Sequence, residues 1–344
     1  MERGFIDLFC GAGGFSIGLT EAGLKPILAV DFEKDCEKTH HLNYPDSKFY
    51  CGDIKSLSSN EILNIIKEQQ LEPFIVVGGP PCQGFSTING KSRLFDNPKN
   101  QLFKEFVRVI QDIQPTWFIM ENVVGLTTMA NGLVEKTIVE HFEALGYHTV
   151  VQVLNAADFG VPQFRQRAFF IGNNLGIKFN FPKKTHGSIT SQISLFGTSN
   201  LLPYVTVGET ILNIPKNNNL KNHVHPRHDE LVLKRMSFVP EGGNQQNIPA
   251  EFKPPQKFQN TYGRLDSTKP SYTIHTRFDV ASTGSLFHPK ENRALTVREG
   301  ARIQTFPDWF EFAGGKSSQY RQVGNAVPPL LAKILVNSIL NQTL

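Results

Sequence analysis

Apolar residues in this chain gather into short runs, most of which end on a polar or glycine-rich corner, and several lead into stretches with helical spacing. Phe5–Phe9, Ile27–Val30, Lys48–Tyr50, Phe74–Val77, Trp117–Met120, His148–Leu154 and Ala168–Ile171 read as strands, several of them too continuously apolar to have a wet face. Between them, Phe15–Ala22 closes on Gly23, Ile62, Leu63, Ile65 and Ile66 mark one helical face, and Leu102, Phe103, Phe106, Val107 and Ile110 mark another. Strands alternating with helices predict an α/β fold built on a mostly parallel sheet.

Local punctuation agrees. Ser58 with Glu61, and Thr296 with Glu299, have the spacing of capping boxes and should each open a helix. Pro328-Pro329 stands at the start of an apolar stripe from Leu330 to Ile339, a helix expected to pack back on the first domain and make it discontinuous. Composition shifts at Pro182-Lys183-Lys184, and periodicity weakens as far as about Asn292. The expected division is a larger domain of 1–184 with 318–344, and a smaller loop-rich domain of 185–317.

With 344 residues, 40% of them hydrophobic and 19% charged, the composition is that of a soluble globular protein rather than a disordered one. A net charge of +4 and a pI near 8.8 permit a polyanionic partner without requiring one. The cysteines Cys10, Cys36, Cys51 and Cys82 have no CxxC spacing, so they read as reduced thiols of an intracellular protein. No leader is expected before Phe5, and no apolar run reaches the roughly 20 residues of a spanning helix.

Chemistry is concentrated at the carboxyl ends of the strands, where open α/β sheets hold their ligands. Gly78-Gly79-Pro80-Pro81-Cys82-Gln83-Gly84-Phe85-Ser86 follows the Phe74–Val77 run and presents one thiol on a loop of prolines and glycines. Asp31 and Asp53 each follow a strand, and a nucleoside pocket accounts for acids so placed better than separate turns do; Glu121 likewise follows a strand, on the edge expected to carry Cys82. Cys10-Gly11-Ala12-Gly13-Gly14 forms a glycine-rich turn before a helix, but Ser16 stands where a dinucleotide fingerprint needs glycine. Alternation along Gln163-Phe164-Arg165-Gln166-Arg167 puts three polar side chains on one face. His223, His225 and His228 lack a carboxylate or cysteine scaffold, so no metal is expected. The basic and aromatic mixture of Lys257, Phe258, Tyr262, Arg264, His275 and Arg277 suits a nucleic-acid surface.

Taken in order, Asp7–Gly14, Asp31, Asp53, Gly79–Gln83, Glu121–Val123, Gln163–Arg167, Arg293–Pro307 and Gln322–Pro329 resemble the C5-cytosine-specific DNA methyltransferases of bacterial restriction-modification systems, nearly end to end. The resemblance implies a Rossmann-like S-adenosylmethionine-dependent methyltransferase sheet with helices on both faces, and a target-recognition region at about 185–290. It implies a cofactor site for S-adenosyl-L-methionine, with S-adenosyl-L-homocysteine as product, made by Phe9, Gly11, Gly13, Gly14, Asp31, Phe32, Asp53, Ile54, Pro81, Leu102, Asn325 and Val327. Cys82 would be the nucleophile, Glu121 would meet the N3 and N4 edge of cytosine, and Arg165 and Arg167 would supply positive charge, Arg165 nearest O2. Relatives often carry Glu where Asp31 stands; the shorter acid still suits two ribose hydroxyls.

The implied partner is double-stranded DNA, contacted through Gln83, Ser86, Lys91, Arg93, Tyr262, Arg264 and Arg277, with the target base extruded from the stack. The same resemblance suggests a cytoplasmic monomer with no membrane partner, and a restriction endonuclease acting on the same site without forming a stable complex. Competing readings are a non-catalytic DNA reader, which the Cys82, Glu121 and arginine set argues against, and an RNA methyltransferase, whose additional Cys-Phe-Thr motif is absent here. A dinucleotide oxidoreductase fails on the glycine spacing.

Overall fold

The computed structural model describes residues 1–81, 101–188, 201–215, 219–255 and 261–343, and the backbone alone at 193–194 and 197–198. The chain divides into two compact units, Met1–Leu154 with Gln166–Lys183 and Leu331–Leu344, and Asn155–Arg165 with Lys184–Leu330.

The first unit is a seven-stranded sheet. Its strands are β1 (Arg3–Leu8), β2 (Lys25–Asp31), β3 (Phe49–Cys51), β4 (Glu72–Gly78), β5 (Trp117–Val123), β6 (His148–Asn155) and β7 (Gln166–Asn173), in the spatial order β3-β2-β1-β4-β5-β7-β6. β1 to β5 pair in parallel, and β7 runs antiparallel to β5. The helices between them are α1 (Gly14–Glu21), α2 (Lys34–Asn43), α3 (Ser59–Gln69), α4 (Gln101–Ile113) and α5 (Leu133–Ala144). Both the α/β class and the elements predicted from apolar spacing are present.

α3 opens on a complete capping box, in which the Ser58 hydroxyl accepts the Glu61 N–H while Glu61 accepts the Ser58 N–H. Its Ile62 and Ile66 turn inward with Phe103, Phe106 and Ile110 of α4, and Phe118 packs 4.1 Å from the Phe142 ring, centroid to centroid. The order of strands reverses between β1 and β4, and the loops after these two strands open at the same edge, the expected ligand position in such sheets. Gly78 ends β4 there because a Cβ would lie 2.5 Å from the Leu8 carbonyl oxygen.

The second unit has little regular structure. Its main helices are α6 (Val207–Ile211), α7 (Glu230–Ser237), α8 (Val297–Ile303) and α9 (Lys316–Asn325), whereas α10 (Pro329–Gln342) belongs to the first unit from Leu331 onward. Met236, Val239, Ile248, Tyr262, Ala281 and Phe287 form a core, and α8 begins with the predicted Thr296–Glu299 box. The expectation that no apolar stretch reaches spanning length needs correction: Lys316–Gln342 does, by length and composition, but 61% of its most apolar window is buried and Pro328-Pro329 interrupts it.

Candidate active site

After β1 the chain turns through three left-handed positions in quick succession, Phe9 (φ 57°), Gly11 (φ 54°) and Gly13 (φ 84°). The turn is pinned at both sides: Cys10 N–H donates to the Val30 carbonyl at 3.0 Å and Gly13 N–H to that of Cys10 at 2.8 Å. A Cβ on Gly11 would meet nothing within 4 Å, so the backbone there faces open space that a ligand can approach. Phe9 itself leans on the sheet core, and Gly14 is buried as the first residue of α1.

Asp31 fixes this turn from the end of β2. Its Oδ2 accepts the Gly11 N–H at 2.8 Å and its Oδ1 the Glu33 N–H at 2.9 Å. Burial pushes the Asp31 carboxyl above its ordinary value, and those two N–H groups pull the other way. Beside it Phe32 exposes its ring, at 68%. Asp53 caps a short turn at Ile54–Ser56 by accepting the Lys55 N–H, and Ile54 is buried. Leu102 packs against the core, and Pro81 is exposed.

Below the turn lies a buried acid whose contacts sequence reading did not anticipate. Asp7 Oδ2 accepts both the N–H and the hydroxyl of Ser16, at 3.1 and 2.7 Å, whereas its Oδ1 is buried with no hydrogen-bond partner among the described residues. Burial pushes the Asp7 carboxyl up to about 7, Asp31 adds to the rise, and the Ser16 bonds oppose it. The available signal was an acid interrupting an otherwise apolar strand.

On β5, Glu121 and Asn122 face the end of β4. Arg167 of β7 places Nε 3.0 Å from Glu121 Oε1, with side chains 19% and 11% exposed. Glu121 Oε2 lies 3.4 Å from the Cβ position of Gly79, and Asn122 Nδ2 donates to the Pro80 carbonyl at 3.0 Å. Asn122 thus braces the backbone just beyond β4, a role that its place in the motif did not announce. Glu121 stands within β5, two residues before its end.

The second unit carries Arg165, Asn325 and Val327. Arg165 is 2% exposed, and its Nη1 donates to the carbonyls of Ile274 and Gly324, each at 3.1 Å. The Gln163–Arg167 run is therefore not the single polar strand face that alternation predicted. Gln163 and Arg165 turn into the second unit, and Arg167 lies on β7 against Glu121. Asn325 is exposed at the end of α9, and Val327 is buried two residues later.

Among the expected DNA contacts, Gln83, Ser86, Lys91 and Arg93 lie outside the described residues, as do Cys82, Lys257 and Phe258. Tyr262 and Arg264 belong to the interior, 4% and 6% exposed, which corrects the reading of them as a nucleic-acid surface. Tyr262 is a core residue, and the Arg264 guanidinium donates to the carbonyls of Val239, His288, Glu291 and Met236 and to Asn292 Oδ1. Arg277 remains at the surface, 3.3 Å from Asp279. His223 meets the Thr296 hydroxyl and His228 accepts the Ala294 N–H, so both serve the start of α8.

Residues 4–341 match the family described as C-5 cytosine-specific DNA methylase. Type II methyltransferase M1.HphI of Haemophilus parahaemolyticus is 42% identical over 99% of this chain and 87% of its own length. Type II methyltransferase M.DdeI of Desulfomicrobium norvegicum is 34% identical over 97% and 88%. The fold is shared with the Entamoeba histolytica methyltransferase EhMeth (TM-score 0.70, 15% identity, 100% of this chain and 99% of that one). It is shared also with the S. pombe Dnmt2 methyltransferase (TM-score 0.69, 16% identity, 100% and 99%).

Proposed function

We propose that this chain, which belongs to the C-5 cytosine-specific DNA methylase family, methylates C5 of a cytosine turned out of duplex DNA through a transient bond between Cys82 and C6. S-adenosyl-L-methionine supplies the methyl group as an electrophile. The residues present fit such a cofactor: open space over Gly11, an exposed Phe32 ring for the adenine, and the Asp31 carboxylate at the end of β2, beside that turn, for ribose hydroxyls. Asp53 and Ile54 would meet the base, and Asn325 and Val327 would close over it.

Cytosine C5 is too weak a nucleophile to be methylated directly. Addition of the Cys82 thiolate to C6 places the ring's electrons at C5, and sulfur suits the task because a thiol with a reference pKa of about 8.5 is partly ionised near neutrality. Glu121 meets the N3 and N4 edge, and Arg165 answers the negative charge that develops at O2, a preorganised electrostatic role. Once C5 carries the methyl group, loss of its proton to a base returns the electron pair to the ring and expels the Cys82 thiolate. The atoms balance without an oxidant or reductant.

One observation carries the reading. Glu121, held by Arg167, lies against Gly79 at the carboxyl edge of the sheet, three positions ahead of the proposed nucleophile Cys82 in the sequence. A base stacked in duplex cannot reach that edge, hence extrusion. Gln83, Ser86, Lys91, Arg93 and Arg277 are the proposed DNA contacts, with target choice assigned to 185–290. A monomer acting on the same site as a companion restriction endonuclease, without a stable complex, is the proposed setting. Bisulfite sequencing of a plasmid from cells expressing the chain tests the proposal: protected cytosines at one recurring sequence, lost with Cys82→Ala, support it, and full conversion everywhere refutes it.

A further inference from the structure

α9 ends badly for a helix. Pro328 and Pro329 have no N–H, so the carbonyls of Gly324 and Asn325 lose the donors that continuing helix would provide, and the chain leaves helical geometry at Ala326 (φ −63°, ψ 145°). Side chains from elsewhere in the second unit supply donors to the Gly324 carbonyl and to its neighbours at Val323 and Ala326. Arg165 takes the Gly324 carbonyl, and Gln304 Nε2 donates to those of Val323 at 2.7 Å and Ala326 at 3.3 Å. On the far side of the same turn the Thr305 hydroxyl accepts the Leu330 N–H at 3.1 Å, near the start of α10.

Gln304 also reaches the arginine segment. Its Oε1 accepts Gln163 Nε2 at 2.6 Å, and Gln163 Oε1 accepts the N–H of Ile274, whose carbonyl is bound by Arg165. Both glutamines are 0% exposed, so each bond is made where water cannot replace a lost partner and an unpaired amide group is costly. Thr305 holds its position at φ 67°, a left-handed geometry that is rare and strained for a β-branched residue. Strain kept beside a buried hydrogen-bonded network indicates that this turn is held to one geometry.

We infer that Gln304, backed by Thr305, is a positioning residue that locks the Arg165 segment and the Gly324–Val327 turn together, so that the arginine facing cytosine and the residues closing on the cofactor are set as one piece. This rests on the function proposed above. Gln304 touches neither substrate; it acts through Gln163 and the α9 carbonyls.

The test uses the full-length chain with its bisulfite-mapped duplex and S-adenosyl-L-methionine. Gln304→Met should raise the KM for the cofactor and lower kcat, together costing about 10- to 100-fold in kcat/KM, with duplex Kd unchanged within about twofold. Adding Gln163→Met should do little more, because the pair acts as a unit. Should Gln304→Met fail to fold, Thr305→Val should show the same split, by about 3- to 10-fold, with Thr305→Ser close to wild type. A lower melting temperature with KM and kcat unchanged below it would overturn the inference and leave the glutamines as core polar groups only. If the wild-type chain itself transfers no methyl group to cytosine, the functional reading fails instead.

Discussion

Arg167 and Glu121 form an ion pair diagonally across β5 and β7, Nε to Oε1 at 3.0 Å, in an antiparallel register where Glu121 faces Phe169 and Arg167 faces Val123. The pair is mostly buried, so removing one member leaves the other charge poorly compensated. Arg167→Ala should lower single-turnover methyl transfer by about 100-fold, whereas Arg167→Lys, which keeps charge but not the guanidinium geometry, should lie between. Rapid-quench assays with saturating cofactor and duplex measure both.

Asp31 offers two acceptors to two backbone N–H groups, and an amide can offer only one. Asp31→Asn therefore sets an NH₂ against the N–H of either Gly11 or Glu33, loosening the glycine turn. Cofactor binding measured calorimetrically should weaken by about 10-fold or more, the loss expected from one misplaced buried polar group. Duplex binding without cofactor should not change.

Asp7 gives the protein a pH-dependent stability term. Its carboxyl is raised to about 7 from an unperturbed 3.8, so the folded state holds a proton that the unfolded chain has released. That contribution is complete below about pH 4 and is lost as pH rises through about 7. Asp7→Asn mimics the protonated acid at every pH, because its oxygen can accept both Ser16 donors. Urea midpoints from pH 5 to 8 should show the variant gaining on the wild type as pH rises; a constant difference would contradict this.

How much of this was legible in the sequence depended on range. The Ser58–Glu61 and Thr296–Glu299 boxes involve residues three apart, and the strands declare themselves by apolar continuity, so both were readable. Asp31 was readable as an acid closing a strand, though not its grip on Gly11 twenty residues back. Arg264 was misread because an arginine in a polar, weakly periodic stretch looks solvated; the oxygens that bury it come from loops whose convergence no local pattern encodes. Arg165 likewise finds carbonyls 109 and 159 positions away.

Arg264 and Arg277 should therefore separate cleanly. Arg264→Met strands several buried carbonyls and should lower stability by at least about 2 kcal/mol in urea titration. Arg277→Ala should leave stability alone and, as a phosphate contact, reduce the slope of log K against log salt by about 1.

The central claim is that Cys82 bonds to the ring it methylates. A duplex carrying 5-fluorocytosine at the bisulfite-mapped position tests it directly, because fluorine at C5 cannot leave as a proton does and the thiol cannot be eliminated. Incubation with S-adenosyl-L-methionine, denaturation and peptide mass spectrometry should recover the methylated base attached to the peptide containing Cys82. Methylation of ordinary cytosine at C5 with no such adduct, or with the adduct on another residue, would contradict the account.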